Sequence, residues 1–363
     1  MIEDELRSWF RLSKLEISPR RAAALLEVFG SPEAIFAAGE AELRAVDGIG
    51  ERVVEKLLAP EPESLDEELD GLINRGIEII TISDPDYPVN LKQIYDPPIA
   101  LYVRGSFIES DRFAVAIVGS RRASVYGRSM AAKIAHDLAA RGIVVVSGGA
   151  RGIDSEAHKG ALSAGGRTVA VLGCGIDVDY PPENSELFGR IAEAGAVVSE
   201  FPPGAQPEAW RFPGRNRIVS GLALGVLVIQ APSDSGALIT STYAAEQGRD
   251  VFALPGNVDD MRNEGCHALI RDGAQLVTSA DDVLESLGFL TVEERSPQTG
   301  AALDLLSDTE RKIVEILSLQ PKHVDQVIQE SELSVGEVTG ALTMLEMNGI
   351  VKRVPGNAYV RTL

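Results

Sequence analysis

The residues best equipped for chemistry in this chain are arginines set beside glycines and serines. Gly119-Ser120-Arg121-Arg122 closes an apolar run, and from Arg112 to His136 the chain carries five Lys or Arg residues and no acid. A buried strand ending in glycine and serine lets backbone N–H groups approach an anion at the next helix N-terminus, and guanidinium groups suit phosphate as bidentate donors. A second turn, Ser147-Gly148-Gly149-Ala150-Arg151-Gly152-Ile153-Asp154, has the glycine content of an anion-binding nest. The third basic element is Trp210-Arg211-Phe212-Pro213-Gly214-Arg215-Asn216-Arg217, within an acid-free stretch from Ala209 to Ser233. Its arginines offer phosphate donors, and its two aromatics either stack on bases or fill core. Ser235-Gly236-Ala237 is a further small-residue turn before a helical pattern. Burial of Arg215 and Arg217 without an anion would be costly, so the turns point to one anion-lined cleft.

Other chemistry is sparsely represented. The glycine turns match neither G-x-x-x-x-G-K-[ST] nor G-x-G-x-x-G, which argues against a P-loop nucleotidase and an ordinary dinucleotide site. His136, His158, His267 and His323 form no H-x-x-x-H or H-E-x-x-H pair, so no metal site and no cofactor are expected. No G-x-S-x-G elbow is present. Glu246 is a candidate general acid or base, or simply a solvated helix residue.

The turns need strands to carry them, and residues 83 to 290 hold short apolar runs that end near glycine. They are Ala114-Val115-Ala116-Ile117-Val118, Ile143 to Val146, Thr168 to Leu172, Ala196 to Val198, Val226 to Ile229 and Asp250 to Leu254. Their near-continuous apolar character predicts strands buried on both faces, hence a Rossmann-like, doubly wound, mostly parallel α/β sheet with ligands at the strand ends. Residues 1 to 82 read as a helical domain, in which Val46-Asp47-Gly48-Ile49-Gly50-Glu51 has the pattern of a helix-hairpin-helix turn. That turn either faces a phosphate or only packs helices. Residues 291 to 302 read as a polar linker, and 303 to 363 as three helices and a hairpin through Pro355-Gly356-Asn357, a winged helix.

With 34 Lys+Arg against 54 Asp+Glu, the net charge of −20 argues against a globally basic nucleic-acid coat, although local charge decides binding. Two cysteines, Cys174 and Cys266, support neither a disulfide framework nor a zinc knuckle. Met1 to Phe10 has no basic segment followed by an apolar run, and the longest apolar stretch, Leu222 to Ile229, cannot span a bilayer. A cytoplasmic protein without membrane insertion is expected.

These motifs, in this order, resemble the DprA/Smf DNA-processing family. The resemblance runs through Ala116 to Arg121, Val146 to Asp154 with Ala157-His158, Val171 to Asp177 with Tyr180-Pro181, Ser199 to Gly204 and Phe212 to Ile218. It continues in Ser235 to Thr240, Ala244 to Arg249 and Pro255-Gly256-Asn257. It implies a core that binds single-stranded DNA without chemistry, forms homodimers and loads the RecA recombinase on incoming DNA during natural transformation. Carried over residue by residue, the DNA contacts are Arg121, Arg215 and Arg217, with Gly119, Ser120, Ser147, Gly148, Gly149 and Asn216 as neighbours. The residue pattern adds Arg211, Ser235 and Gly236. In an acidic chain such binding must rest on a focused cleft and be sharply salt-sensitive. The third helix of the winged unit, Ser334 to Asn348, contains Glu337 and Glu346 and no Lys or Arg, so that unit is expected to mediate protein contacts or weak accessory binding. The enzyme alternative is a LOG-type nucleotide phosphoribohydrolase, whose P-G-G-x-G-T-x-x-E motif is replaced here by Ser233 to Thr240.

Overall fold

A computed structural model describes residues 2–289, 306–317, 322–331, 333–347, 350–354 and 358–361. The chain forms two compact units, Met1–Leu287 and Gly288–Leu363.

The first unit opens with six helices: α1 (Ile2–Lys14), α2 (Pro19–Phe29), α3 (Pro32–Ala37), α4 (Glu40–Ala45), α5 (Glu51–Leu58) and α6 (Leu65–Ile73). Local sequence explains their boundaries. Ser31 accepts from the Ala34 N–H at 3.3 Å with Pro32 in the first turn, and Gly30, at φ 80°, ends α2. Leu25, Ile35, Leu43, Val54 and Leu57 bury a core of their own, which Trp9 and Leu12 of α1 complete. Phe10 on the same helix, with Leu65, Leu69 and Leu72 of α6, is instead buried against the sheet. A helix that contributes to two cores fixes the helical segment to the sheet.

The sheet has nine strands in the order β1-β2-β6-β5-β4-β3-β7-β8-β9. They are β1 (Ile77–Thr81), β2 (Ala100–Gly105), β3 (Ala114–Val118), β4 (Val144–Ser147), β5 (Thr168–Val171), β6 (Ala196–Ser199), β7 (Gly225–Val228), β8 (Asp250–Ala253) and β9 (Gln275–Leu276). From β6 to β9 all neighbours are parallel, whereas β1 and β2 add an antiparallel edge. All six runs anticipated from sequence are strands of this sheet; β2 and β9 were not anticipated, and β1, grouped by composition with the helical segment 1 to 82, pairs into the main sheet. Alternation along the strands divides the core: Val169 and Val171 face one layer, Ala170 and Leu172 the other.

The intervening helices are α7 (Val89–Lys92), α8 (Val125–Ala140), α9 (Ile153–Ser163), α10 (Ser185–Ala194), α11 (Arg211–Leu222), α12 (Gly236–Glu246), α13 (Glu264–Arg271) and α14 (Ala280–Ser286). Between β4 on one side of β3 and β7 on the other the strand order reverses, and a crevice opens beyond the carboxyl ends of the strands at such a switch point.

The second unit comprises α15 (Asp308–Ile316), β10 (Lys322–His323), α16 (Val324–Ser331), α17 (Val335–Met347), β11 (Val351–Val354) and β12 (Ala358–Arg361). Its core gathers Ile313, Val327, Leu342, Leu345 and Tyr359. The three strands order as β10-β12-β11, so the expected wing gains a short third strand at Lys322. The anticipated linker 291 to 302 and the Pro355-Gly356-Asn357 turn lie outside the described residues.

Candidate nucleic-acid interface

The turn after β3 is built around one side chain that the sequence reading missed. Gln230, buried two residues beyond β7, accepts from the Ser120 N–H on its backbone oxygen at 2.7 Å and from the Ser124 N–H on its amide oxygen at 2.8 Å. Its own amide nitrogen donates to Asn263 Oδ1 at 3.1 Å. Ser124 caps α8 by accepting from the Gly127 N–H at 3.1 Å, and Ser120 Oγ accepts from the Arg122 N–H at 3.1 Å. Gly119 has no room for a side chain: a Cβ would lie 2.6 Å from Ile153 Cγ1 and 2.9 Å from the Gln230 carbonyl oxygen. A lone polar residue closing the apolar run Val226 to Ile229 is the only sequence signal for Gln230. The turn leaves Arg121 and Arg122 exposed.

Below them lies the β4–α9 turn. A Cβ on Gly148 would meet Arg215 Nη2 at 2.6 Å and Asp154 Oδ2 at 2.7 Å, so a bare backbone separates this acid from this base. Asp154 Oδ2 accepts from the Ala150 N–H at 3.3 Å. Burial pushes the Asp154 carboxyl up to about 6, against the opposing pull of Arg215 and Arg121. Arg215 donates to the carbonyls of Gly148, at 2.5 Å, and Val171, and burial lowers its guanidinium to about 10. It remains charged at neutral pH and ties together the ends of two strands.

The third element is α11. Successive residues on a helix turn by about 100°, so Arg215 and Arg217 point to opposite sides. Arg217 is buried and ion-paired with Glu200 at 2.6 Å and Asp96 at 3.0 Å. Burial works against its charge, but the two carboxylates prevail and raise its pKa. Arg211 is buried too and bound by Glu16 at 2.8 Å. Phe212 lies over Gly173, where a Cβ would come within 2.7 Å of the ring, and beside Tyr180 with centroids 5.7 Å apart. Arg121 stands over the Phe212 ring at 5.1 Å.

These parts line a cleft of about 870 Å³ at the switch point. Of the residues predicted from sequence, Gly119, Ser120, Arg121, Gly148, Arg215, Asn216, Ser235 and Gly236 line it. Arg211 and Arg217 do not; both lie along a separate groove and have carboxylate partners. The expectation places both at phosphate; in the structure they face carboxylates, Arg217 because helical phase directs it inward to acids that sequence spacing does not reveal. Ser147 also lies outside the cleft, fully buried and donating to the Ile117 carbonyl at 2.6 Å, and Gly149, at φ 65°, packs against Phe188. Ser235 accepts from the Ala237 N–H at 3.3 Å at the start of α12, and Asn216 Nδ2 donates to the Gly236 carbonyl at 3.3 Å. Arg122, Tyr180, Phe212 and Arg262 join the lining, Arg262 already paired with Asp260 at 2.8 Å. Glu246 is exposed at the end of α12 and is not part of the cleft.

At the helix-hairpin-helix turn Gly48 adopts φ 77°. Arg44 is held by Glu40 and by Glu51, the latter in the first turn of α5, while Arg52 stays exposed. Among the described residues no cluster has metal-ligand composition, and no helix is long and apolar enough to cross a membrane.

A Rossmann-like sheet with an arginine- and aromatic-lined strand-end cleft, preceded by a helical module and followed by a winged helix, defines a modular protein of the nucleic-acid-handling class. The family model described as DNA recombination-mediator protein A matches residues 78–288, the DprA winged helix domain matches 296–357, and a SAM-like helix-hairpin-helix tandem matches 16–59. The chain belongs to the DNA recombination-mediator protein A family, DprA/Smf. It is 34% identical over 398 residues to Protein Smf of Synechocystis sp., covering 99% of this chain and 100% of that protein. It is 39% identical over 319 residues to Protein Smf of Escherichia coli, covering 86% and 85%. The solved DNA processing protein A of Streptococcus pneumoniae superposes with a TM-score of 0.68 at 37% identity, covering 77% of this chain and 97% of that one. That of Helicobacter pylori, solved for its single-stranded DNA binding mode, gives 0.53 at 30% identity, covering 58% and 95%.

Proposed function

We propose that this chain binds single-stranded DNA in the switch-point cleft without chemical turnover, and that it works in the cytoplasm as a homodimer that protects incoming strands and loads the RecA recombinase on them. The observation that carries the DNA reading is Arg121, exposed and 5.1 Å above the Phe212 ring. A phosphate donor and a base-stacking face share one cleft mouth, the combination that sequence-tolerant single-strand binding needs. The single-strand binding of the Helicobacter pylori relative, a member of the same family, supports the reading. The recombinase and dimer assignments rest on family resemblance.

Backbone and side-chain amides supply the remaining contacts. The α12 N-terminus at Gly236, with open space around it, suits a second phosphate. Arg215 acts from beneath, holding the β4–α9 turn that carries Asp154 through its bond to the Gly148 carbonyl.

One observation favours catalysis, the buried Asp154 carboxyl raised to about 6 inside a cleft. Its backbone contact with Ala150 and its place opposite Arg215 account for it as a loop-ordering group, and the Glu246 that the phosphoribohydrolase reading needs lies elsewhere. The test is fluorescence anisotropy of labelled oligo-dT and an equal-length duplex, with wild type and R121A/F212L. Single-strand preference that collapses in the variant supports the function. No binding at low salt, or release of free base from a nucleoside monophosphate, overturns it.

A further inference from the structure

Glu16 is the one non-glycine residue with positive φ, 47°, among the described residues. A left-handed glutamate is strained, and such strain persists where its surroundings over-determine it. Here the surroundings are a buried arginine. Arg211 donates from Nη1 to Glu16 Oε1 at 2.8 Å and from Nη2 to Oε2 at 3.3 Å, a two-pronged contact spanning 195 residues of sequence. Its guanidinium lies 4.6 Å from the ring centroids of both Phe201 and Trp210, and its Nε is buried with no partner. Burial with an unmet donor is costly, so the site is held in place by its contacts rather than favoured by solvation.

The two ends of this contact connect different parts of the molecule. Glu16 follows α1, the helix whose Trp9 and Leu12 belong to the helical core and whose Phe10 is buried against the sheet. Arg211 is the first residue of α11, and the next residue is Phe212, the ring under Arg121 in the cleft. The Phe212 ring also packs on Gly173, where a Cβ would come within 2.7 Å of its Cδ1, so its position depends on close contact with the backbone there. A change at the first turn of α11 therefore moves the face on which a base would stack.

We propose that Glu16 is a positioning residue for the DNA cleft: the helical segment braces the start of α11 through Glu16–Arg211 and thereby sets the Phe212 platform. This gives the N-terminal helices a role that does not depend on their touching DNA. The inference rests on the single-strand reading above, and it separates from that reading because wild-type binding tests the one and the Glu16 variants test the other.

The experiment uses the full chain and an oligo-dT strand carrying one 2-aminopurine, whose emission is quenched by stacking. Binding, bound-state emission and thermal midpoint are compared for wild type, E16Q, E16D and F212L. E16Q is expected to weaken binding by roughly three- to tenfold, the scale of coupling through packed neighbours, and to raise bound emission toward that of F212L. E16D, which keeps the charge, recovers both. Wild-type affinity and emission in E16Q overturn the brace, as does a loss of affinity that merely follows a lowered midpoint with stacking unchanged. Absence of oligo-dT binding by wild type overturns the function reading and the brace together.

Discussion

Arg217 separates a DNA contact from a structural cation more sharply than any other residue here. Its side chain is 5% exposed and lies between Glu200, 14% exposed, and Asp96, 34% exposed. Truncation to alanine leaves the Glu200 carboxylate buried without its cation, and breaking such a pair costs about 3–5 kcal/mol. With an unfolding entropy of about 2.1 cal/mol/K per residue, each kcal/mol shifts the melting midpoint of a unit of this size by about 1.7 °C, so R217A should melt roughly 5–8 °C below wild type. Its affinity for oligo-dT, measured well below that midpoint, should be unchanged, because the guanidinium does not reach the cleft. R121A should do the opposite, losing about 1.5–3 kcal/mol of binding from one charge-assisted contact while melting like wild type. A further arm, R217M/E200Q, removes both charges and should recover much of the lost midpoint. The assays are thermal unfolding by circular dichroism and anisotropy on the same preparations. R217A that melts with wild type yet binds at least about tenfold more weakly would place Arg217 on the DNA and refute the helical-phase argument.

Salt should matter less than the sequence suggested. Among the described residues Arg121 and Arg122 are the cleft arginines that are exposed and without a carboxylate partner, so a plot of log affinity against log salt should have a slope near about −1.4; a slope several times steeper would mean that the strand follows another basic surface. Affinity should rise as pH falls. Burial places the folded Asp154 carboxyl at about 6, above its ordinary 3.8, so the folded chain takes up a proton that the unfolded chain does not between these values. The ionised group therefore subtracts stability above pH 6, that loss is recovered as pH falls through this window, and protonation leaves Arg215 unopposed in the cleft. Oligo-dT titrations from pH 7.5 to 5.5 should show the increase in wild type and a flat response in D154N; a flat wild type would remove Asp154 from the binding electrostatics. The winged unit should show no sequence-specific duplex affinity, since α17 carries no Lys or Arg; a specific shift with residues 303 to 363 would contradict that.

Much of the fold was legible because it depends on local pattern. Runs such as Ala114 to Val118 are apolar on both faces, and that alone requires a covered, parallel strand. The Ser31-Pro32 cap and the Gly30 terminus are likewise written in adjacent residues. β9, two exposed residues long, carries no such periodicity and forms only because β8 offers an edge.

The candidate site divides in the same way. Sequence alone determined that glycines and serines end the strands, that Arg121 follows the first of them, and that the turns converge at one end of a doubly wound sheet, since each of these follows from neighbours along the chain. Which arginines remain free was decided only by tertiary structure. Arg211, Arg215 and Arg217 look alike in a basic motif, but their partners Glu16, Val171 and Gly148, and Glu200 with Asp96, come from distant segments. Charge is neutralised through space, over a few ångströms, by acids whose separation in sequence has no bearing on their proximity.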